Sequence, residues 1–346
     1  MMRPKVVVTG PIFDEVAEYL TRHCELVANT GVDPWPRDEL LARLDSARAM
    51  LAFMHDSVDA DFLSRSAGSL GIIACALKGC DNFDVDACTR HGVWLTVVPD
   101  LLTEPTAELA VGLLIALARN IRPGDHIVRS VGFEGWRPIL YGKGLRQSTV
   151  GIVGAGKVGR TLAHYLQGFG CRLVYFDAAA LPEAKERRLG MIRMPLEDIL
   201  KTSDFVVMCL SLDDTTFHML NEERLKLMKP GAYLINVSRG STVDEGAVAD
   251  ALECGQLAGY AADVFELEDW AQPQRPRAVD PRLLAPDAPT LFTPHLGSAV
   301  MGVRLEIEMR AARSIVQFLE GKVPDGAVNQ LEMTNRRSAE EPKGKP

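Results

Sequence analysis

Aromatic residues are scarce, 6% of 346, and no apolar run is long enough to span a membrane. The longest, residues 107–118, is interrupted by Glu108 and falls short of the ~20 residues a spanning helix needs. The opening Met-Met-Arg-Pro-Lys-Val-Val-Val-Thr-Gly holds too short an apolar stretch for a signal peptide and reads as a first strand. The seven cysteines (Cys24, Cys75, Cys80, Cys88, Cys171, Cys209, Cys254) are odd in number, scattered, and contain no Cys-x-x-Cys pair. That spacing argues against a disulfide framework and a zinc site, and for reduced thiols in a cytoplasm; no metal is expected. A basic surplus is also missing: 38 Lys+Arg stand against 46 Asp+Glu, a net charge of −8. General nucleic-acid binding is disfavoured, and no membrane partner is expected. An anionic substrate would have to be held by a few local cations against the overall field.

What is present is an ordinary globular composition, 47% hydrophobic and 24% charged. At roughly 150 residues per domain the length suggests about two domains. Short β-branched runs alternate with helical patterns, which predicts α/β folding around parallel sheets. Strands are expected at 5–9, 25–28, 49–53, 72–77 and 94–97. A mostly apolar helix follows at 103–119, with Thr103 as N-cap and Pro105 in its first turn. A helix apolar nearly all round is buried, in a core or in a subunit interface, and on this helix a homodimer is expected. A second block places strands at 149–154, 173–177, 205–210, 233–237, 259–264 and 291–293, and a helix at 157–169. A last helix is expected from about 299 to 320. The tail, 331–346, is rich in charge and proline and is expected to be disordered.

One motif carries a mechanism. A strand runs into Gly154-Ala155-Gly156-Lys157-Val158-Gly159, a Gly-x-Gly-x-x-Gly that opens a helix. Gly154 permits the tight turn, Gly156 lets backbone approach a pyrophosphate, and Gly159 lets helix and strand pack closely. The N–H groups of the helix start then face the phosphates. Asp177 ends the next strand, 18 residues beyond Gly159, where an acid accepts hydrogen bonds from the adenosine ribose. An acid there repels a 2′-phosphate, and Ala178 and Ala179 supply no opposing cation, so NAD is favoured over NADP. Lys157 either touches a phosphate or is solvated.

Three polar residues follow strands of the second block: Arg239, Glu268 and His295. Ligands of open α/β sheets lie beyond the carboxyl ends of the strands. A histidine oriented by a carboxylate is an acid/base unit, and an arginine can grip an anion through two N–H groups. Singly, each reads as a surface or packing residue; together on a nucleotide-binding sheet they form a candidate site.

The glycine loop, Asn236-Val237-Ser238-Arg239-Gly240 with Val243-Asp244, Asp263-Val264-Phe265-Glu266-Leu267-Glu268 and Thr293-Pro294-His295 together resemble the D-2-hydroxyacid dehydrogenases. The resemblance runs over nearly the whole chain. It implies two doubly wound parallel-sheet domains, a Rossmann cofactor domain (101–298) inserted into a flavodoxin-like catalytic domain (1–100 with 299–330). It implies that Arg239, Glu268 and His295 are catalytic and that Asp263 approaches the nicotinamide amide, with Thr106 and Ser238 also beside the cofactor. Within the family, further stretches resemble its phosphite-oxidising branch: Cys75-Ala76-Leu77-Lys78-Gly79, Gly135-Trp136, Tyr141-Gly142, Glu268-Asp269-Trp270, His295-Leu296-Gly297-Ser298-Ala299-Val300 and Arg304-Leu305-Glu306. That likeness implies Lys78 as a further catalytic cation and Met54, Gly79, Trp136, Tyr141, Ser298 and Arg304 around a small anion, phosphite. Lys157 departs from the branch, where a small residue is expected. The alternatives are a dehydrogenase of a small 2-hydroxy acid and a dinucleotide-sensing corepressor, since one fold can serve binding alone.

Overall fold

The computed structural model describes residues 3–66 and 68–331; the expected disorder of the tail therefore falls almost wholly outside the described residues. The chain divides into two compact units, one built from residues 1–98 with those from 307 onward, the other from residues 99–306.

The first unit holds five parallel strands: β1 (Lys5–Val8), β2 (Glu25–Ala28), β3 (Ala47–Ala52), β4 (Ile72–Cys75) and β5 (Trp94–Thr96). Their order is β2-β1-β3-β4-β5, the flavodoxin-like order, with its reversal between β1 and β3. Val6, Val7, Val8, Met50, Leu51, Ile72 and Ile73 are wholly buried, as strands covered on both faces require. The C-terminal residues are stitched back onto this sheet. Asn329 accepts from Leu95 N at 2.9 Å and donates to Val93 O at 2.9 Å. A Cβ on Gly71 would stand 2.2 Å from the Phe318 ring, so the glycine ahead of β4 makes room for that ring.

The second unit holds seven parallel strands: β6 (Thr149–Val153), β7 (Arg172–Phe176), β8 (Met191–Arg193), β9 (Phe205–Met208), β10 (Ala232–Asn236), β11 (Leu257–Ala262) and β12 (Thr290–Phe292). The order β12-β11-β10-β9-β6-β7-β8 is the Rossmann order with one added strand, reversing between β6 and β9. The expected strands are all present with ends displaced by one or two residues. β8 was not expected: it is a three-residue edge strand with only Met191 buried, too short to show a period.

The apolar helix Thr103–Ala118 lies in the second unit's core. Ala107, Ala110, Leu113, Leu114 and Leu117 pack against the helix Lys157–Leu166 and against β10 and β11. Core burial thus accounts for its composition without a subunit interface. Its N-cap is Leu102, not Thr103; Thr103 is already helical, and its buried hydroxyl has no partner. The helix expected at 157–169 is α-helical over Lys157–Leu166 and tightens into a 3-10 turn at Gln167–Phe169, ended by Gly170 at φ +66°. Among the described residues, no helix is long and apolar enough to cross a membrane.

Asp204 anchors the amino ends of three central strands of this sheet. Its carboxylate accepts from Lys143 Nζ at 2.6 Å, Lys229 Nζ at 2.7 Å and Thr149 N at 2.9 Å, and its carbonyl accepts from Tyr233 N at 2.9 Å. Burial pushes the carboxyl up, but the ammonium groups of Lys143 and Lys229 overcome this and hold it at about 2. Its pKa is lower folded than unfolded, so its contribution is complete above the ordinary aspartate value and is lost as pH falls toward 2. Asp204→Asn is expected to cost about 2 kcal/mol of unfolding free energy at pH 7 and much less at pH 2.5. Equal urea midpoints for parent and variant at pH 7 would refute that role.

Candidate active site

β10, β11 and β12 are parallel neighbours, with Asn236 opposite Ala262 and Ala262 opposite Phe292. Their carboxyl ends therefore open on one edge, and the segments that follow are tied together there. Asp263 N donates to Asn236 O at 3.0 Å, Thr293 N to Ala262 O at 3.0 Å, and His295 N to Asp263 O at 2.8 Å. His295 sits at φ +57°, in a left-handed conformation that non-glycine residues seldom adopt.

The sequence separates Glu268 from His295 by 27 residues, yet the structure joins them: His295 Nδ1 lies 2.6 Å from Glu268 Oε2. The other carboxylate oxygen, Oε1, accepts from Phe265 N at 3.0 Å. One oxygen thus holds the carboxylate to its own 3-10 turn, Glu266–Glu268, while the other holds the imidazole. With Nδ1–H committed to the acid, Nε2 is the ring atom able to take or give a proton. Both side chains are about one-quarter exposed, so the pair is ordered but open to a ligand.

Asp263 is buried beneath this pair. It accepts from Thr293 Oγ1 at 2.6 Å, Leu296 N at 2.6 Å and Gly297 N at 2.8 Å. Burial raises its carboxyl above the ordinary aspartate value, and the Thr293 hydroxyl and the backbone donors offset part of the rise. A Cβ on Gly297 would stand 3.1 Å from both Asp263 Oδ2 and Thr106 Oγ1, so a side chain there would have to push these two groups aside. Thr106 is fixed in turn by its hydroxyl, which donates to Leu102 O at 2.6 Å.

Arg239 and Ser238 follow β10 in a loop organised by a residue that sequence reasoning did not single out, Asn236. Its carboxamide oxygen accepts from Ser238 N at 3.0 Å and Ser238 Oγ at 2.8 Å, and its amide donates to Arg239 O at 2.9 Å. Asn236 is wholly buried; an asparagine at a strand end was the available signal. Arg239 is half-buried, and its Nη1 donates to Ser238 O at 2.9 Å.

The glycine loop joins β6 to the helix Lys157–Leu166. Gly154 lies at φ +102°, and a Cβ there would stand 2.7 Å from the backbone of Cys209; a Cβ on Gly159 would stand 2.0 Å from Gly154 O. Gly156 is different: a Cβ there would meet no protein atom within 4 Å. Two glycines serve close packing within the protein, and the third leaves the loop backbone approachable from outside, as a pyrophosphate requires. Asp177 closes the other end: its carboxylate accepts from Ala155 N at 2.8 Å and Ala179 N at 3.0 Å. These residues fit a dinucleotide, with Gly156 and the start of the helix (Lys157, Val158) toward the pyrophosphate and Asp177 toward the ribose. Lys157 forms an ion pair with Asp100, a third possibility beyond phosphate contact or simple solvation. A cation does reach the acid's strand end: Arg193, from the unexpected β8, donates to Asp177 O at 3.0 Å and Ala178 O at 3.3 Å.

Met54, Lys78 and Gly79 follow β3 and β4 of the first unit and are half-buried; Asn82 Nδ2 donates to Met54 O at 3.3 Å. Trp136 and Tyr141, in the arm after the helix Ile121–Arg129, are 80% and 81% exposed. Ser298 is half-buried, as is Arg304 on the helix Met301–Leu319.

Comparison with known proteins places this geometry. Residues 111–297 match the D-isomer specific 2-hydroxyacid dehydrogenase, NAD binding domain. The chain is 36% identical over 341 residues to a glyoxylate reductase of Thermococcus onnurineus, covering 97% of this chain and 99% of that protein. It is 38% identical over 335 residues to a glyoxylate reductase of Aeropyrum pernix, covering 95% and 97%. Among solved structures, the TT0316 protein from Thermus thermophilus superimposes with a TM-score of 0.84 at 34% identity, covering 94% of this chain and 100% of that one. On these matches the chain belongs to the D-isomer specific 2-hydroxyacid dehydrogenase family, with NAD as its cofactor.

Proposed function

We propose that this chain oxidises phosphite to phosphate with NAD, using the His295–Glu268 pair as its acid/base unit; the 2.6 Å contact between them is the observation that carries a catalytic reading. NAD, when bound, accepts the hydride. His295, oriented by Glu268, takes a proton from the water whose oxygen becomes bonded to phosphorus as the P–H bond breaks. Arg239 holds the oxyanion and the charge that develops on it; the resemblance assigns Lys78 and Arg304 as further cations. What supports phosphite is the run of branch-like stretches in the sequence, above all Leu77-Lys78-Gly79 and Glu268-Asp269-Trp270: several cations suit a compact doubly charged anion better than a single carboxylate.

The names of the relatives support a second reading, and they support it better than phosphite. Both curated relatives above are glyoxylate reductases. In that reading His295 gives a proton to the carbonyl oxygen of a small 2-oxo acid while Arg239 holds its carboxylate. The intact His–Glu pair argues against the binding-only alternative. A homodimer and a cytoplasmic location belong to the same proposal. Support for the dimer now comes from the arm rather than from the apolar helix, since Val131, Phe133, Trp136, Ile139 and Tyr141 are each more than half exposed, an apolar surface of the kind that marks interfaces.

Purified protein with NAD and phosphite is expected to form NADH steadily on the first reading, and with NADH and glyoxylate to consume NADH on the second. Turnover of glyoxylate alone would replace phosphite by a 2-oxo acid and keep the cofactor and acid/base unit. With the preferred substrate, His295→Asn is expected to lower kcat about a thousandfold, and Lys78→Ala to raise the substrate KM about tenfold or more; a near-normal kcat for the histidine variant removes it from the chemistry. Asp177→Ala is expected to weaken NAD binding about tenfold in calorimetry and to narrow the preference over NADP, because Arg193 remains on the backbone of residues 177 and 178. Unchanged NAD affinity would show that Asp177 does not hold the ribose.

A further inference from the structure

Behind Glu268 lies a second group of acids that the proposed chemistry does not use. Glu245 opens the helix Glu245–Glu253 and is 3% exposed. It and Glu266 clamp one another: Glu266 N donates to Glu245 Oε1 at 2.8 Å, and Glu245 N donates to Glu266 Oε1 at 2.9 Å. Glu266 is the first residue of the 3-10 turn whose last residue is Glu268. The clamp therefore fixes one end of the three-residue turn that presents the Glu268 carboxylate to His295. The same turn packs so closely on Gly240 that a Cβ there would stand 1.9 Å from the Phe265 backbone.

We propose that Glu245 is a positioning residue: through its clamp on Glu266 it sets where the turn holds Glu268 against His295. The inference rests on the reading of His295 and Glu268 as the acid/base unit. The second oxygen of Glu245, Oε2, is buried without a hydrogen-bond partner, a costly place for a full charge. Burial, and then the negative charges of Glu266, Glu268 and Asp269, push its carboxyl up to about 7, against the bond from Glu266 N. On the far side, Glu266 Oε2 lies 2.9 Å from His218 Nε2, and His218 Nδ1 lies 4.0 Å from Asp244 Oδ2. Tyr260, wholly buried on β11, feels the Glu245 charge and is pushed well up, chiefly by burial. On the helix Glu222–Leu227 that packs beside Glu245–Glu253, Arg224 pairs with Glu197 and Lys226 with Glu222. Below neutrality the clamp carries a proton; above it a further negative charge joins those of Glu266, Glu268 and Asp269.

The test compares Glu245→Ala and Glu245→Gln with the parent on whichever substrate turns over. Alanine removes the acceptor for Glu266 N and is expected to lower kcat about ten- to a hundredfold, with KM and NAD affinity within about twofold. Glutamine keeps a neutral acceptor and is expected to restore kcat to within about threefold of the parent, while removing an ionisation near 7 from the kcat profile. The His295 ring proton, assigned by its absence in His295→Asn, gives a readout that needs no substrate. Its chemical shift is expected to report an ionisation near 7 in the parent that is missing in Glu245→Gln. Failure of every substrate would overturn the proposed function while the NMR titration still decides the clamp. An unchanged kcat in the alanine variant, no rescue by glutamine, or identical titrations in parent and Glu245→Gln would each overturn the inference.

Discussion

The parallel ladder β10–β11–β12 is the constraint on which the candidate site depends. Because the three strands run the same way in register, Asn236, Ala262 and Phe292 finish side by side, and the residues after them emerge on one edge. Arg239, Asp263 and His295 come from stretches 24 to 56 residues apart in sequence, and no local interaction could assemble them. Backbone bonds continue past the strands, from Asp263 N to Asn236 O and from His295 N to Asp263 O, so the sheet's order extends into the segments that carry the chemistry. That extension holds His295 at a positive φ, at a cost repaid by the surrounding bonds.

The polar residues at this edge are organised by buried groups that have no direct role in a reaction. Asn236 shapes the loop of Arg239, Asp263 gathers Thr293 and two backbone N–H groups, and Glu266 ties the turn of Glu268 to Glu245. Each is a buried polar group, and each is tolerated because its hydrogen bonds are made largely with backbone that must in any case be satisfied. Acids therefore accumulate behind the histidine, in a chain already carrying a net charge of −8. An anionic substrate is attracted only where Arg239 and its fellow cations outweigh that field locally.

The same carboxyl edge carries the candidate nucleotide site near the middle of the sheet. The strand order reverses between β6 and β9, and the glycine loop lies at that reversal. Gly154 and Gly159 answer steric demands of the protein itself, whereas no protein atom demands a glycine at 156. Arg193 adds a counterweight to Asp177 that composition near the acid did not show, because it arrives from the neighbouring strand β8 rather than from the residues that follow the aspartate.

Much of this was legible in the amino-acid order. Alternation of β-branched runs with helical patterns determined two parallel-sheet blocks, since fully buried strands must be apolar throughout. The glycine spacing and Asp177 determined a dinucleotide site, because each position answers a local backbone or charge requirement. Other features were decided only in three dimensions. The helix Thr103–Ala118 is apolar because it crosses the core of its own unit, and periodicity cannot distinguish that from a subunit face. The β8 strand was too short to carry a pattern. The partners of Lys157, Arg193, Asn236 and Glu245 are distant in sequence or reach backbone atoms, and side-chain-to-backbone bonds leave no trace in composition. The sequence by itself determined the folds and the kinds of residue at the strand ends, because those follow from local sterics and burial; the tertiary structure decided which of those residues meet, because only a parallel sheet in register brings distant strand ends to one edge.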